Sequence, residues 1–227
     1  MQISNSCEEK ETHQSDRNGF IRKVYCILSA QLCVTAGVIT WVKLDPKLNE
    51  GIKELYPLVM VSLVVTIFIE CALICCSHLA RKVPTNYILL SIFTLFEAFI
   101  FAFICAFYTA ESCIEAAGMT AGVTVALTLY AMFTKTDFTV CGQLMSILCA
   151  VSFMLIIAGL FMSVNNWGNT LIAAVFVIIY GIYLIIDTQL VLGNHSYGLS
   201  TDDYIVGALL IYLDIMMLFL KLLEIFG

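Results

Sequence analysis

Apolar and polar positions alternate along this chain in long blocks. After a polar opening, seven runs dominated by Leu, Ile, Val, Phe and Ala follow at about 20–42, 58–79, 86–108, 112–133, 140–163, 170–191 and 203–225. Each is close to the roughly 20 residues a helix needs to cross a bilayer at 1.5 Å per residue. The runs are continuous, not alternating residue by residue, which favours helices over a transmembrane barrel. The pattern predicts an all-α membrane protein, a bundle of seven transmembrane helices over 20–227. Residues 1–19 hold Glu8, Glu9, Lys10, Glu11, Asp16 and Arg17 and read as a short disordered cytosolic tail. Connections are short apart from Lys43–Pro57, so neighbouring helices should run antiparallel.

Punctuation supports this division. Pro84 separates the second and third runs, and Gly193 is placed to cap the end of the sixth. Ser200-Thr201-Asp202-Asp203 resembles a helix start, with acids at the positive end of the dipole. Gly118 and Gly122 form a GxxxG element in the fourth run, whose ordinary meaning is close helix packing. No inverted repeat is visible, so transporter-like internal symmetry has no support.

Composition agrees with the block pattern. Of 227 residues, 61% are hydrophobic and 12% charged, against about 25% charged in soluble domains. The mean hydropathy is +0.96. The net charge of −6 is scattered, and no basic tract points to nucleic acid. Lys and Arg set the orientation. With the N-terminus in the cytosol, Lys10, Arg17, Arg22, Lys23, Arg81, Lys82 and Lys135 fall on the cytosolic side and Lys43, Lys47 and Lys53 on the other. Lys221 lies at the far end of the last run and can snorkel outward. This orientation leaves the glycosylation sequon Asn194-His195-Ser196 in the cytosol, where it stays unmodified.

The ten cysteines lie mostly inside apolar runs, among them Cys26, Cys33, Cys71, Cys75, Cys76, Cys105 and Cys149. No metal-ligand spacing such as CxxC occurs, so they read as small packing residues, with palmitoylation of Cys75-Cys76 as an alternative.

The chemistry lies in the few ionisable residues within the apolar runs. An acid at the middle of a membrane helix costs roughly 2.5–3.5 kcal/mol on insertion scales, so such a residue marks function by default. These residues are Glu70, Glu97, Asp187 and Asp214, with Arg81 near the cytosolic end of the second run and Glu115 near the outer end of the fourth. Asp187 lies about one turn from the end of the sixth run. Asp214 lies roughly ten residues into the seventh, about 15 Å from the same side. Facing each other, the two carboxyls would share a proton and titrate as a pair, with Arg81 holding one of them. Glu70, Glu97 and Glu115 are candidates for a cation path, since carboxylate oxygens suit Ca²⁺, or for partners of hydroxyl groups. An aspartyl intramembrane protease is disfavoured: Asp187 follows Ile186 and Asp214 follows Leu213, and no HExxH or GxSxG motif occurs.

From Phe20 onward the chain resembles the transmembrane Bax-inhibitor-motif family, in its lifeguard branch. The resemblance rests on Phe20-Ile21-Arg22-Lys23-Val24-Tyr25, Val83-Pro84-Thr85-Asn86-Tyr87, Phe93-Thr94-Leu95-Phe96-Glu97-Ala98 and Thr134-Lys135-Thr136-Asp137-Phe138-Thr139. It is strongest at Asp187-Thr188-Gln189-Leu190, Leu199–Ile205 and Leu210–Ile215. It implies seven helices with the last in the middle of the other six. It also implies a pH-sensitive Ca²⁺ leak from intracellular stores, tuned by the aspartates matching Asp187 and Asp214, with a basic latch matching Arg81 and an acidic position matching Glu70. It implies suppression of apoptosis from the endoplasmic reticulum, the Golgi or the plasma membrane. No cofactor is expected, only calcium as the permeant ion and the bilayer as surroundings. The alternative is a non-conducting adaptor that inhibits cell death by binding apoptotic regulators or other calcium channels.

Overall fold

The computed structural model describes residues 2–140, 150–152, 166–193 and 196–227, with side chains from Ser15 onward and, in the later helix, from Gly168. The helices are α1 (Gln2–Leu44), α2 (Pro46–Lys53), α3 (Tyr56–Cys75), α4 (Ser77–Arg81), α5 (Thr85–Ala106), α6 (Ala110–Phe133), α7 (Asn166–Leu192) and α8 (Tyr204–Phe226). Among the described residues six helices are long and apolar enough to cross a membrane. The candidate span 140–163 lies almost wholly outside the described residues, as do Cys149 and Asn194-His195 of the sequon. Every strongly apolar described stretch is helical because lipid offers the backbone no hydrogen-bond partner, and a helix satisfies its own.

Two boundaries differ from the sequence reading. Helix α1 is continuous from Gln2, so the stretch read as a tail carries on the helical backbone of the first span. The long connection after Leu44 contains a helix of its own, α2. Asp45 caps it by accepting from the Lys47 and Leu48 amides, and Pro46 sits where the missing N–H costs nothing. Ile52 then buries against a small cluster with Val42, Ala102 and Ala106.

Burial is uneven. In α8, 67% of the spanning window is buried, against 17% to 44% in the other five. The main core gathers around it: Phe93 of α5 packs edge-on against Tyr212, Phe101 tilts over Phe219, and Phe20, Val24 and Leu28 of α1 join the same cluster. At Gly207 a Cβ would come within 3.0 Å of Val191, so this glycine lets α8 approach α7. In lipid such close fit, more than water exclusion, holds helices together. Gly118 and Gly122 behave differently: among the described residues nothing lies within 4 Å of a Cβ built at either, so the GxxxG face of α6 packs against none of the described helices.

Candidate functional site

Buried polar residues run through the middle of the bundle, carried by α1, α3, α5, α7 and α8. Asp187 of α7 is 6% exposed and Asp214 of α8 is 7% exposed. The two carboxyls face each other closely enough to interact directly. Asp214 Oδ2 has no hydrogen-bond partner among the described residues. Tyr180, two helical turns before Asp187 along α7, lies within electrostatic reach of Asp214, and the Tyr25 hydroxyl of α1 faces Thr188. The two aspartates singled out from sequence are therefore brought together, from consecutive helices of opposite direction.

A second buried group lies between α1, α5 and α8. Gln31 Nε2 donates to Thr94 Oγ1 at 3.0 Å, and Thr35 and Tyr212 hydroxyls share a hydrogen bond of 2.8 Å. Tyr212 is fully buried and two residues from Asp214, so it stands on the opposite side of α8 from that acid. Glu97 of α5 lies beside Thr66 of α3 and within electrostatic reach of Glu70 and Tyr212. Glu70 and Glu97 are thus neighbours, both partly buried. Glu115 does not join them: it is exposed on α6.

Arg81 also sits apart from the carboxyl pair. Its guanidinium makes a bidentate ion pair with Asp203, at 2.7 Å from Nε and 2.8 Å from Nη2. The sequence reading had Arg81 holding Asp187 or Asp214. Asp203, at the start of α8, intercepts it because the end of α4 meets the Ser200–Asp203 turn. The hydrogen bond and charge of Asp203 hold the Arg81 guanidinium above its ordinary value. The pair is solvent-facing, and its contribution is geometric: it fixes where α8 begins.

Sequence reasoning missed the polar lattice beneath the carboxyl pair. Gln189 accepts from the Phe138 amide through Oε1 and donates to the Thr136 carbonyl through Nε2, both at 2.9 Å. Asp137 accepts from the Thr139 amide and hydroxyl and from the Ser196 amide at 2.9 Å. Arg17 of α1 donates to the carbonyls of Leu192, Leu199 and Leu190 at 3.0, 2.6 and 2.8 Å. One signal was available: Asp137-Phe138-Thr139 is an Asx-type turn, in which an Asp carboxylate takes the amide two residues on.

Hydrogen bonds from Ser196 and Thr139 hold the Asp137 carboxyl well below the usual carboxylate range. A carboxyl lowered on folding stabilises above its unfolded value of about 3.9, and the gain is lost as pH falls through the lower folded value. Asp137→Asn is therefore expected to loosen the 196–199 connection at neutral pH. Hydrogen exchange at the Ser196 and Tyr197 amides should quicken several-fold. Wild-type protein should show similar quickening only in strong acid. Unchanged exchange in the variant would remove Asp137 from this role.

A family profile described as "Inhibitor of apoptosis-promoting Bax1" matches residues 17–227. The chain is 34% identical over 217 residues to Protein lifeguard 3 of Mus musculus, covering 93% of this chain and 69% of that protein. Identity and coverage are the same for Protein lifeguard 3 of Homo sapiens. Protein LIFEGUARD 1 of Arabidopsis thaliana is 31% identical over 212 residues, covering 92% of this chain and 88% of that protein.

Proposed function

The chain belongs to the family of inhibitors of apoptosis-promoting Bax1, as a multi-pass membrane protein, and on that premise we propose that it is a pH-sensitive calcium leak channel of an intracellular membrane. By lowering store calcium it suppresses apoptosis. In this reading 140–163 completes a set of seven spans, the last helix is central, and the N-terminus faces the cytosol in the endoplasmic reticulum or Golgi.

The observation that carries the proposal is the buried contact between Asp187 and Asp214. Two carboxylates at this separation cannot both ionise cheaply, so they share a proton at lower pH and repel once it leaves. The elements bearing them are the two helices joined by the 193–203 connection, which Arg17, Asp137 and Arg81 fasten. Gaining or losing one proton therefore changes the force between α7 and α8 at a fixed pivot. Glu70 and Glu97 supply oxygen ligands beside Tyr212 for a passing divalent cation. The protein needs no cofactor in this scheme and performs no covalent chemistry.

The test is calcium release from liposomes carrying the full chain, measured across a pH series against empty liposomes. Release above the empty control that rises as the pair takes up its proton is expected. Release equal to the control at every pH would overturn the channel reading and leave the non-conducting adaptor, which inhibits cell death through regulator or channel partners.

A further inference from the structure

The turn between α5 and α6 holds two cysteines that the channel reading does not use. Cys105 lies in the last turn of α5, 1% exposed, and Cys113 in the first turn of α6, 7% exposed. Their thiols interact directly, and Cys113 Sγ lies 4.0 Å from the Cys105 carbonyl. The backbone between them is held in place. Thr109 caps α6 by accepting from the Ser112 amide, and the Cys113 amide donates to the Thr109 carbonyl at 3.2 Å.

Two other helices are tied to the same turn. Lys43, at the end of α1, donates to the Tyr108 carbonyl and brings its ammonium within electrostatic reach of both sulfurs. Ser112 Oγ donates to the Phe226 carbonyl at 3.3 Å, anchoring the last turn of α8. Cys113 also lines a cavity of about 620 Å³ between α1, α6 and α8, whose wall includes Thr35, Lys43, Thr124, Met216 and Phe219. One sulfur is thus reachable from a cavity while the other stands behind it. Packing alone asks for small side chains at these positions, not for two sulfurs in contact beside a cation.

We propose that Cys105 and Cys113 are a reactive thiol pair that closes to an intramolecular disulfide by exchange with a small organic disulfide. Cys113 is the attacking sulfur, because it lines the cavity and sits beside Lys43 and the amino end of α6. As thiolate it displaces one thiolate from the reagent and forms a mixed disulfide. Cys105 then gives up its proton and attacks the Cys113 sulfur, expelling the second half of the reagent. Two protein thiols are oxidised by two electrons, one reagent disulfide is reduced to two thiols, and both protons pass to them. The closed bond fastens the turn to which α1 and α8 are attached.

The experiment uses purified full-length protein in detergent with hydroxyethyl disulfide, small and uncharged enough to enter an apolar cavity. Free thiols are then alkylated and the unreduced digest is read by mass spectrometry. In most molecules the peptides holding Cys105 and Cys113 should be joined, lighter by two hydrogens than their sum and separated by reduction. In Cys113→Ser, Cys105 should be recovered alkylated. Recovery of both cysteines alkylated in the treated wild-type protein, or of either joined to a different cysteine, would overturn the proposal without any variant having to fold.

Discussion

Gly193→Ala is expected to lower the apparent melting temperature of the detergent-solubilised protein by about 6–20 °C, corresponding to a loss of roughly 3–5 kcal/mol. Gly193 ends α7 with φ 63°, where an L side chain is strained by about 1–2 kcal/mol. Steric conflict adds to that strain. A Cβ there would fall onto the Arg17 guanidinium, against Nη2, Cζ and Nε together. That guanidinium donates to the carbonyls of Leu192 and Leu199 and shares that of Leu190 with the Leu199 amide. A methyl group must therefore expel it, stranding the carbonyls of Leu192 and Leu199 and leaving that of Leu190 with the Leu199 amide alone, at the carboxyl end of α7 where a helix leaves its own carbonyls unpaired. Hydrogen bonds from a charged donor contribute about 1.5–3 kcal/mol each, and partial solvent access brings the sum toward the lower end. Arg17→Ala alone should cost about 2–3 kcal/mol by the same reasoning. The decisive comparison is the double variant. Once Arg17 is gone, Gly193→Ala should cost only the backbone term of about 1–2 kcal/mol. Losses that simply add would show that the glycine and the arginine act independently.

The same contact shows where sequence reading stops. The apolar runs, the cap at Gly193 and the burial of Asp187 and Asp214 follow from local rules: helix length against bilayer thickness, the left-handed cap, and the cost of a carboxylate in lipid. Arg17 reads from sequence only as one more cytosolic positive charge. Its partners are main-chain carbonyls 173 to 182 residues away, and a carbonyl carries no side-chain signature. Arg81 shows a different limit. Several carboxylates fall on its side of the expected topology, and charge alone cannot choose between Asp187, Asp214 and Asp203. The end of α4 meets the start of α8, and that meeting decides for Asp203. Gly118 and Gly122 fail for a third reason: a small-residue stripe permits close packing without specifying which helix supplies the partner. In α2, by contrast, the signal was present, because Asp45-Pro46 is a cap followed by proline at the first helical position.

Substitution of either aspartate by asparagine should abolish the pH response of calcium release. Asparagine keeps the shape of the side chain and its hydrogen-bonding capacity but cannot exchange a proton. In Asp214→Asn the remaining Asp187 has no like charge opposite it, so ionisation no longer drives α7 and α8 apart. Asp187→Asn leaves Asp214 in the same position. Both single variants should therefore give flat profiles, and the double variant should add nothing, since a pair that acts through one shared proton is broken by losing either member. Coupling energies of this kind are about 1–3 kcal/mol, so the acid-to-neutral ratio of release in the wild type should be roughly 5–150-fold and should fall close to one in the variants. Glu115→Gln is the control, because Glu115 is exposed on α6 and stands outside the buried group. A wild-type profile retained in both single variants would exclude the carboxyl pair as the sensor even if the protein conducts. Loss of response in only one of them would locate the proton on that residue alone and remove the shared-proton argument. If release is flat in both variants yet protection from cell death persists in cells, protection does not require the pH response, and a binding role for the family fold gains the support that flux loses.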